Sequence, residues 1–206
     1  MLFTEFRFVV FFAIVFGWYW FLRSNTSRKV LLLAASYVFY GAWNWKFLAL
    51  ILAATVVDFA IGARLGALAD GRGRRWLMFG SVIWNLSVLG FFKYFNFFIA
   101  SAEGFLSWLG LHPNLGTLNI ILPVGISFFT FQSMSYSIDI YRRKLEPTRN
   151  LLDFSMFMAF FPQLFAGPIV RAIDFLPQLE TARRLADVRG KLFLGMFLIG
   201  YLKKAC

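Results

Sequence analysis

Few side chains in this 206-residue chain are suited to proton transfer or nucleophilic attack; it holds one histidine, His112, and one cysteine, Cys206. An imidazole titrates near neutral pH and is the commonest general base. His112, however, stands beside Pro113 with no Asp, Ser or Cys in the adjacent sequence to orient it. Cys206 is the last residue and belongs to no spaced metal or redox motif. The sequence therefore predicts no metal site and no catalytic residue, and His112 is interpreted as a loop residue.

Two carboxylates stand inside apolar stretches, where an ionisable group is costly and is a functional candidate. Asp58 lies near the end of its stretch and is interpreted as a structural residue that reaches Arg64 or the aqueous boundary. Tyr136, Asp139 and Arg142 are three residues apart and share one helical face. This triplet is either an Asp–Arg pair that anchors a helix end or part of a binding site.

The amino-acid composition indicates whether water or lipid surrounds the chain. Hydrophobic residues make up 60% of the chain and charged residues 15%, against roughly 45–50% and about 25% in soluble domains. A soluble fold of this size cannot bury so much apolar surface. The sequence thus predicts an all-α, polytopic transmembrane helical bundle. No water-facing segment combines clustered basic residues with aromatic ones, so the net charge of +11 is not interpreted as nucleic-acid binding.

Apolar stretches that approach the length of a membrane crossing, about 20 residues, recur along the chain. The candidates are 5–22, 30–45, 47–63, 76–92, 118–141, 151–170 and 192–202. The first stretch is interpreted as a membrane anchor and not as a cleaved signal peptide. A signal peptide has small residues at its cleavage site, whereas the bulky residues Trp18 to Phe21 stand there in this chain. A polar break at Asn44 and Lys46 separates the second and third, which are predicted to form a tight helical hairpin.

Basic residues are distributed unevenly between these stretches. If the spans alternate, the loops 23–29, 64–75 and 142–150 share one side and carry eleven basic residues, against three on the other side. Cytoplasmic loops carry an excess of Lys and Arg. The bias predicts that these three loops are cytoplasmic and that the N-terminus is extracytoplasmic.

The stretch 151–170 is predicted to be a re-entrant hairpin rather than a crossing. A crossing would move the five basic residues of 171–191 to the outer side, against the bias. Pro162 and the pair Gly167–Pro168 also interrupt a helix. Non-helical backbone at membrane depth survives only when it is buried in protein or lines a wet cavity. The hairpin is therefore expected to line a pocket.

The predicted span 118–141 contains an unusual number of polar side chains. After Pro123 and Gly125 come Ser127, Thr130, Gln132, Ser133, Ser135, Tyr136 and Ser137. Lipid offers these groups no hydrogen-bond partner, so the helix is expected to face other helices or water. Polar contacts that join helices and a polar pocket wall remain alternatives.

Several motifs stand in order along the chain: Ser36–Tyr40, Phe92–Phe97, Leu122–Phe128, Ser135–Arg142, Phe160–Arg171 and Gly200–Lys204. Together they resemble the membrane-bound O-acyltransferases, and most closely the bacterial branch that O-acetylates alginate and related exopolysaccharides. The motif Phe160–Arg171 is the most specific, and the resemblance covers essentially the whole chain.

The resemblance implies an acyltransferase of the bacterial inner membrane. Its acyl donor, acetyl-CoA or another activated acyl group, is expected on the cytoplasmic side, and no other cofactor is implied. Its acceptor is expected to be an extracytoplasmic polysaccharide, reached directly or through an acetyl-relay partner. Family members are considerably longer and carry their catalytic histidine beyond the double lysine. The chain is therefore expected to be the N-terminal part of an incomplete fold, without the C-terminal half, and inactive alone.

On this resemblance, candidate substrate-channel residues lie in the re-entrant stretch and in the helix before it: Pro162, Gln163, Gly167, Pro168 and Arg171, with Tyr136, Asp139 and Arg142 as secondary candidates. Arg171 suits a donor phosphate because a guanidinium binds it through two donors, or it is an orientation charge. Gln163 can donate and accept hydrogen bonds. The alternatives are a non-catalytic membrane scaffold and a transporter, although no internal repeat is visible.

Overall fold

The computed structural model describes residues 5–110, 121–164, 169–181, 184–185 and 188–205. All regular elements in these ranges are helical, which confirms the all-α prediction for them. The helices are α1 (Phe6–Phe21), α2 (Asn25–Asn44), α3 (Leu48–Ala67), α4 (Arg72–Leu89), α5 (Phe95–Trp108), α6 (Ile126–Tyr141), α7 (Leu151–Ala159), α8 (Phe161–Leu164), α9 (Ala172–Glu180) and α10 (Gly190–Ala205). His112, Gly167, Pro168 and Cys206 lie outside the described residues.

Two helical runs are long and apolar enough to cross a membrane by length and composition: Asn25–Ala67 and Arg72–Trp108. The first contains a short 3-10 turn, Trp45–Phe47, at the polar break noted in the sequence. Asn44 is extended there, and its side-chain Oδ1 accepts a hydrogen bond from the backbone N–H of Lys46 at 3.1 Å. The polar side chain therefore satisfies a backbone donor where α2 gives way to α3.

The second run is longer than the predicted span 76–92. Helical geometry begins at Arg72 and continues through a π-type turn, Gly90–Tyr94, into α5. Lys93 does not end the helix, because its ammonium lies 5.3 Å from the centre of the Tyr94 ring and is stabilised there. The Phe91 and Phe95 rings, 5.7 Å apart, also bridge this turn.

The predicted span 118–141 was wrong at its start, because residues 121–125 are not helical and α6 begins at Ile126. Pro123 has no N–H, and Gly125 adopts a left-handed φ of +78°. A Cβ at Gly125 would also lie 2.6 Å from the backbone carbonyl oxygen of Leu164. Both the backbone angle and the available space therefore require glycine at the start of α6.

Helix α6 is the central element of the described structure and packs against α3, α4, α7 and α9. Its core side chains include Phe129 and Tyr136, which are completely buried. The Tyr136 ring lies 4.7 Å from the Phe154 ring of α7. On α3, Gly62 permits this packing, because a Cβ there would come within 2.5 Å of Tyr136 Cε1. Small residues let the elements approach closely.

Polar side chains of α6 join it to α4 and α3. The Ser81 hydroxyl donates to the Ser137 hydroxyl at 2.8 Å, and Asn85 Nδ2 donates to Asp58 Oδ1 at 3.0 Å. Asn85 Nδ2 also lies 3.4 Å from the Ser133 hydroxyl. On this face of α6, the polar residues therefore act as contacts between helices.

Asp58 is completely buried, so the expected approach to Arg64 or to the aqueous boundary is wrong. The reason is that α4 brings the Asn85 amide within hydrogen-bond distance of its carboxylate. The other oxygen of Asp58 has no hydrogen-bond partner among the described residues.

Contacts between the basic loops place them at one end of the helices. Lys29 Nζ lies 2.6 Å from Asp153 Oδ1, which joins the start of α2 to the start of α7. Arg74 Nη2 donates to the Ile140 carbonyl at 2.7 Å, and Arg143 lies 3.2 Å from Asp70. The connection between α3 and α4 therefore meets the connection between α6 and α7.

Candidate functional site

The segment formed by α7 and α8 runs antiparallel along α6. Near its start, the Phe154 ring contacts Tyr136 in the C-terminal half of α6. Further on, the Phe157 carbonyl accepts a hydrogen bond from Gln132 Nε2 at 2.6 Å. At its end, Leu164 lies against Gly125 at the N-terminal end of α6. The segment thus extends along almost the whole length of α6.

The helix is interrupted between α7 and α8, where Phe160 adopts a ψ of 110°. In a continuous helix the Phe161 N–H would donate to the Phe157 carbonyl. Instead, the Phe161 N–H donates to the Ser36 hydroxyl of α2 at 3.2 Å, and the Phe157 carbonyl accepts from Gln132 of α6. Two buried side chains therefore replace one lost backbone hydrogen bond. This substitution is what an interrupted helix needs in surroundings without water.

Arg171, the third described residue after α8, has its guanidinium at the other end of α6. Arg171 Nη2 lies 3.5 Å from Asp139 Oδ1, and Asp139 stands in the last turn of α6. The Asp139 side chain is 2% exposed, whereas that of Arg171 is 54% exposed. Leu164 and Arg171 therefore lie at opposite ends of α6, although only seven positions separate them. Helix α9 then packs against α7, with the Phe175 ring 5.9 Å from that of Phe157.

The structure brings together only some of the substrate-channel residues that the sequence predicted. Pro162 and Gln163 lie in α8, and Gln163 Oε1 is 3.5 Å from Gln132 Nε2. Asp139 and Arg171 form an ion pair, with Oδ2 of Asp139 left without a hydrogen-bond partner among the described residues. Tyr136 is buried, and its phenol oxygen accepts from the Thr148 N–H at 3.2 Å.

Arg142 does not join this group, so the first of the two alternatives, an Asp139–Arg142 pair that anchors the helix end, is wrong. Helix α6 ends at Tyr141, and Arg143 adopts a left-handed φ of +58° that turns the chain away from the helix. Arg142 is exposed beyond this helix end. Arg171, distant in sequence, takes the place beside Asp139.

The start of α7 is anchored by residues that the sequence did not single out. Lys29 pairs with Asp153, whose other carboxylate oxygen accepts from Asn150 Nδ2 at 3.1 Å. Asn150 Oδ1 also accepts from the Leu152 N–H at 3.0 Å and so caps the helix. Among the described residues, no three His, Cys, Asp or Glu side chains converge on a metal-sized site.

Removing the two side-chain partners of the helix interruption is expected to destabilise the protein. Ser36→Ala leaves the Phe161 N–H without an acceptor, and Gln132→Leu leaves the Phe157 carbonyl without a donor. Each buried unsatisfied group costs about 1–3 kcal/mol. Denaturant titration of the detergent-purified chain, followed by tryptophan fluorescence, measures this loss.

The matched control for these variants is Ser135→Ala, because the Ser135 hydroxyl donates to the Gln132 carbonyl of its own helix and makes no other hydrogen bond among the described residues. We expect its free energy of unfolding to stay within about 0.5 kcal/mol of the unaltered chain. Equal stabilities for Ser36→Ala and Ser135→Ala would contradict the role given to Ser36.

Comparison with known proteins identifies relatives along almost the whole chain. It is 40% identical over 208 residues to the probable alginate O-acetylase AlgI of Pseudomonas syringae pv. tomato, covering 99% of this chain and 39% of that protein. Identity to the Pseudomonas aeruginosa protein of the same name is 41%, with the same two coverages. The peptidoglycan O-acetyltransferase of Helicobacter pylori is 33% identical over 203 residues, covering 85% of this chain and 37% of that protein. No family model and no solved structure matched the chain.

Along almost its whole length the chain is homologous to members of the membrane-bound O-acyltransferase family, as the sequence motifs indicated. Within that family, it matches proteins named as probable alginate O-acetylases. It spans 39% of the length of the first two of these relatives. The family resemblance found in the sequence is thus confirmed.

Proposed function

We propose that this chain forms part of the membrane domain of an O-acyltransferase that transfers acetyl groups to hydroxyl groups of a polysaccharide. The observation that carries this proposal is the identity of about 40% to alginate O-acetylases across 99% of the chain. The second class of relative, a peptidoglycan O-acetyltransferase, also modifies a glycan polymer according to its name. These names favour an acyltransferase over a transporter.

The domain is proposed to be a polytopic helical bundle in the bacterial inner membrane, with residues 151–170 as a re-entrant hairpin. Support for the hairpin comes from the antiparallel packing of α7 and α8 on α6 and from the return of Arg171 to Asp139. Support for the orientation comes from the eleven basic residues in three loops that meet at one end. That end is proposed to be cytoplasmic, with the N-terminus extracytoplasmic.

Acyl transfer breaks the bond between the acyl carbon and its leaving group and forms an ester with an acceptor hydroxyl, whose proton passes to a base. The described residues assign no base. Arg171 is half-exposed, so its free donors are proposed to bind a phosphate of the acyl donor while Asp139 orients the guanidinium. Gln163, next to Gln132, is proposed to position a polar group of the substrate. An extracytoplasmic acetyl-relay protein and a polysaccharide acceptor are the proposed partners.

A chimaera tests this function. The 208 matched residues of the Pseudomonas aeruginosa alginate O-acetylase are replaced by this chain, and acetyl esters on secreted alginate are measured in a strain without its own enzyme. Acetylation by the chimaera is expected. Within it, Arg171→Gln is expected to weaken donor binding about tenfold or more, since a hydrogen bond to a charged group contributes about 1.5–3 kcal/mol.

The matched control is Arg184→Gln, which removes one exposed charge from the segment after α9. The Arg184→Gln variant is expected to leave acetylation unchanged. Comparing it with Arg171→Gln distinguishes phosphate binding by Arg171 from a general contribution of positive charge to orientation. A chimaera that accumulates normally in the membrane without acetylating alginate would contradict the proposed function. Equal effects of the two arginine variants would contradict only the role of Arg171.

A further inference from the structure

A cavity of about 710 Å³ lies outside the candidate acyl-transfer site. It is bounded by the C-terminal half of α3, the start of α4 and the connection between α6 and α7. Its lining includes apolar residues of α3, namely Phe59, Ala63, Gly66 and Ala67, and charged residues, namely Arg74, Arg143, Glu146 and Arg149. The cavity therefore combines an apolar wall with three guanidinium groups.

Arg74 is buried at this cavity with one donor unused. Its side chain is 1% exposed. Nη2 donates to the carbonyls of Ile140 and Tyr141 at 2.7 and 3.1 Å, and Nη1 lies 3.2 Å from Asp70 Oδ1. Nε, by contrast, has no hydrogen-bond partner among the described residues. A buried cationic donor without an acceptor is costly, so the positive charge of Arg74 beside the cavity is only partly compensated.

Arg143 brings a second guanidinium to the cavity from an unfavourable backbone conformation. The Lys144 N–H donates to the Asp139 carbonyl and the Arg143 N–H to the Ile140 carbonyl, which is the Schellman ending of a helix. Glycine usually occupies the left-handed position, yet this chain has Arg143 there. Asp70 offsets part of the charge of Arg74 and Arg143, while Arg149 adds a positive and Glu146 a negative charge, so positive side chains outnumber negative ones by one.

The surroundings of the cavity indicate the depth of lipid head groups. A second cavity, of about 580 Å³, shares Ala67 and is lined by Arg64 and Trp76. Trp76 is largely exposed at the start of α4. Tryptophan concentrates at the boundary between membrane and water, and basic pockets between helices there bind anionic head groups. The apolar wall is the end of the candidate span Asn25–Ala67 and is continuous with it.

We propose that this cavity binds an anionic membrane phospholipid, with its phosphate beside Arg74, Arg143 and Arg149 and an acyl chain along Ala63 and Ala67. A phospholipid fits better than a free phosphate because the lining combines the arginines with apolar residues of α3. The proposal is independent of acyl transfer, since Arg171, Asp139 and Gln163 do not line this cavity.

The test reconstitutes the whole chain in nanodiscs of phosphatidylcholine and phosphatidylglycerol and measures retained lipid by native mass spectrometry. We expect preferential retention of phosphatidylglycerol. The double variant Arg143→Gln/Arg149→Gln is expected to weaken it about tenfold or more, since a direct hydrogen bond to a charged group contributes about 1.5–3 kcal/mol. Arg74 is left unaltered because it also ties α4 to α6.

The matched control, Arg72→Gln/Arg75→Gln, removes the same charge from exposed positions of α4 that do not line the cavity. It is expected to retain phosphatidylglycerol as the unaltered chain does. Ala63→Leu, which fills the apolar side without changing charge, is expected to reduce retention. Equal losses in the two arginine doubles would overturn the proposal, as would displacement of the lipid by inorganic phosphate or acetyl-CoA.

Discussion

Replacing Gly125 by alanine is expected to lower the free energy of unfolding by about 2–5 kcal/mol. A side chain in the left-handed region costs about 1–2 kcal/mol, and overpacking a filled site adds about 1–3 kcal/mol. Both penalties apply here, because Gly125 has a φ of +78° and its Cβ would overlap the Leu164 carbonyl oxygen. Denaturant unfolding of the detergent-purified chain, followed by tryptophan fluorescence, measures the change.

Gly80→Ala is the control for this variant, since Gly80 lies inside α4 with open space around it. Alanine is favoured over glycine in a helix by about 0.5–1 kcal/mol, so this variant is expected to be stabilised or unchanged. If Gly125→Ala were as stable as Gly80→Ala, the close contact between α6 and α8 would not exist in the folded protein.

Breaking the ion pair between Lys29 and Asp153 is expected to destabilise the chain by about 3 kcal/mol, the low end of the range for buried pairs. The low end applies because the two side chains are 11% and 14% exposed. Lys29→Met leaves the Asp153 carboxylate largely buried without its cation. The double variant Lys29→Met/Asp153→Leu removes both charges and is expected to be more stable than Lys29→Met.

Unfolding measurements on Lys29→Met, on Asp153→Leu and on the double variant give the coupling energy of the pair. Lys144→Met is the control, since Lys144 is exposed beyond α6 and its loss is expected to change stability by at most about 0.5 kcal/mol. Additive effects of the Lys29 and Asp153 changes would show that the pair does not hold α2 to α7.

The helical elements were largely predictable because hydropathy and length are local properties of the sequence. The stretch 5–22 corresponds to Phe6–Phe21, and the polar break at Asn44 coincides with the turn between α2 and α3. Hydropathy gave a wrong helix boundary where the backbone chemistry of proline and glycine opposed it. Pro123 and Gly125 delay the start of α6 although the residues around them are apolar.

The pairing of side chains was less predictable, because it depends on which helices meet. Spacing of three residues suggested Asp139 and Arg142, but Asp139 pairs with Arg171, 32 positions away. Asp58 likewise finds Asn85 of a neighbouring helix instead of Arg64. Ser36 belonged to a recognised motif, yet no sequence signal connected it with Phe161, 125 positions later.

The two side chains that complete the interrupted helix have a consequence for biosynthesis. Ser36 and Gln132 both precede Phe157 and Phe161 in the chain, so the ribosome synthesises both partners first. We therefore expect the segment from Leu151 to Leu164 to dock onto helices that have already been synthesised. On the proposed membrane topology, the amide of Phe161 and the carbonyl of Phe157 find their partners already made, so the order of translation favours the docking of this segment.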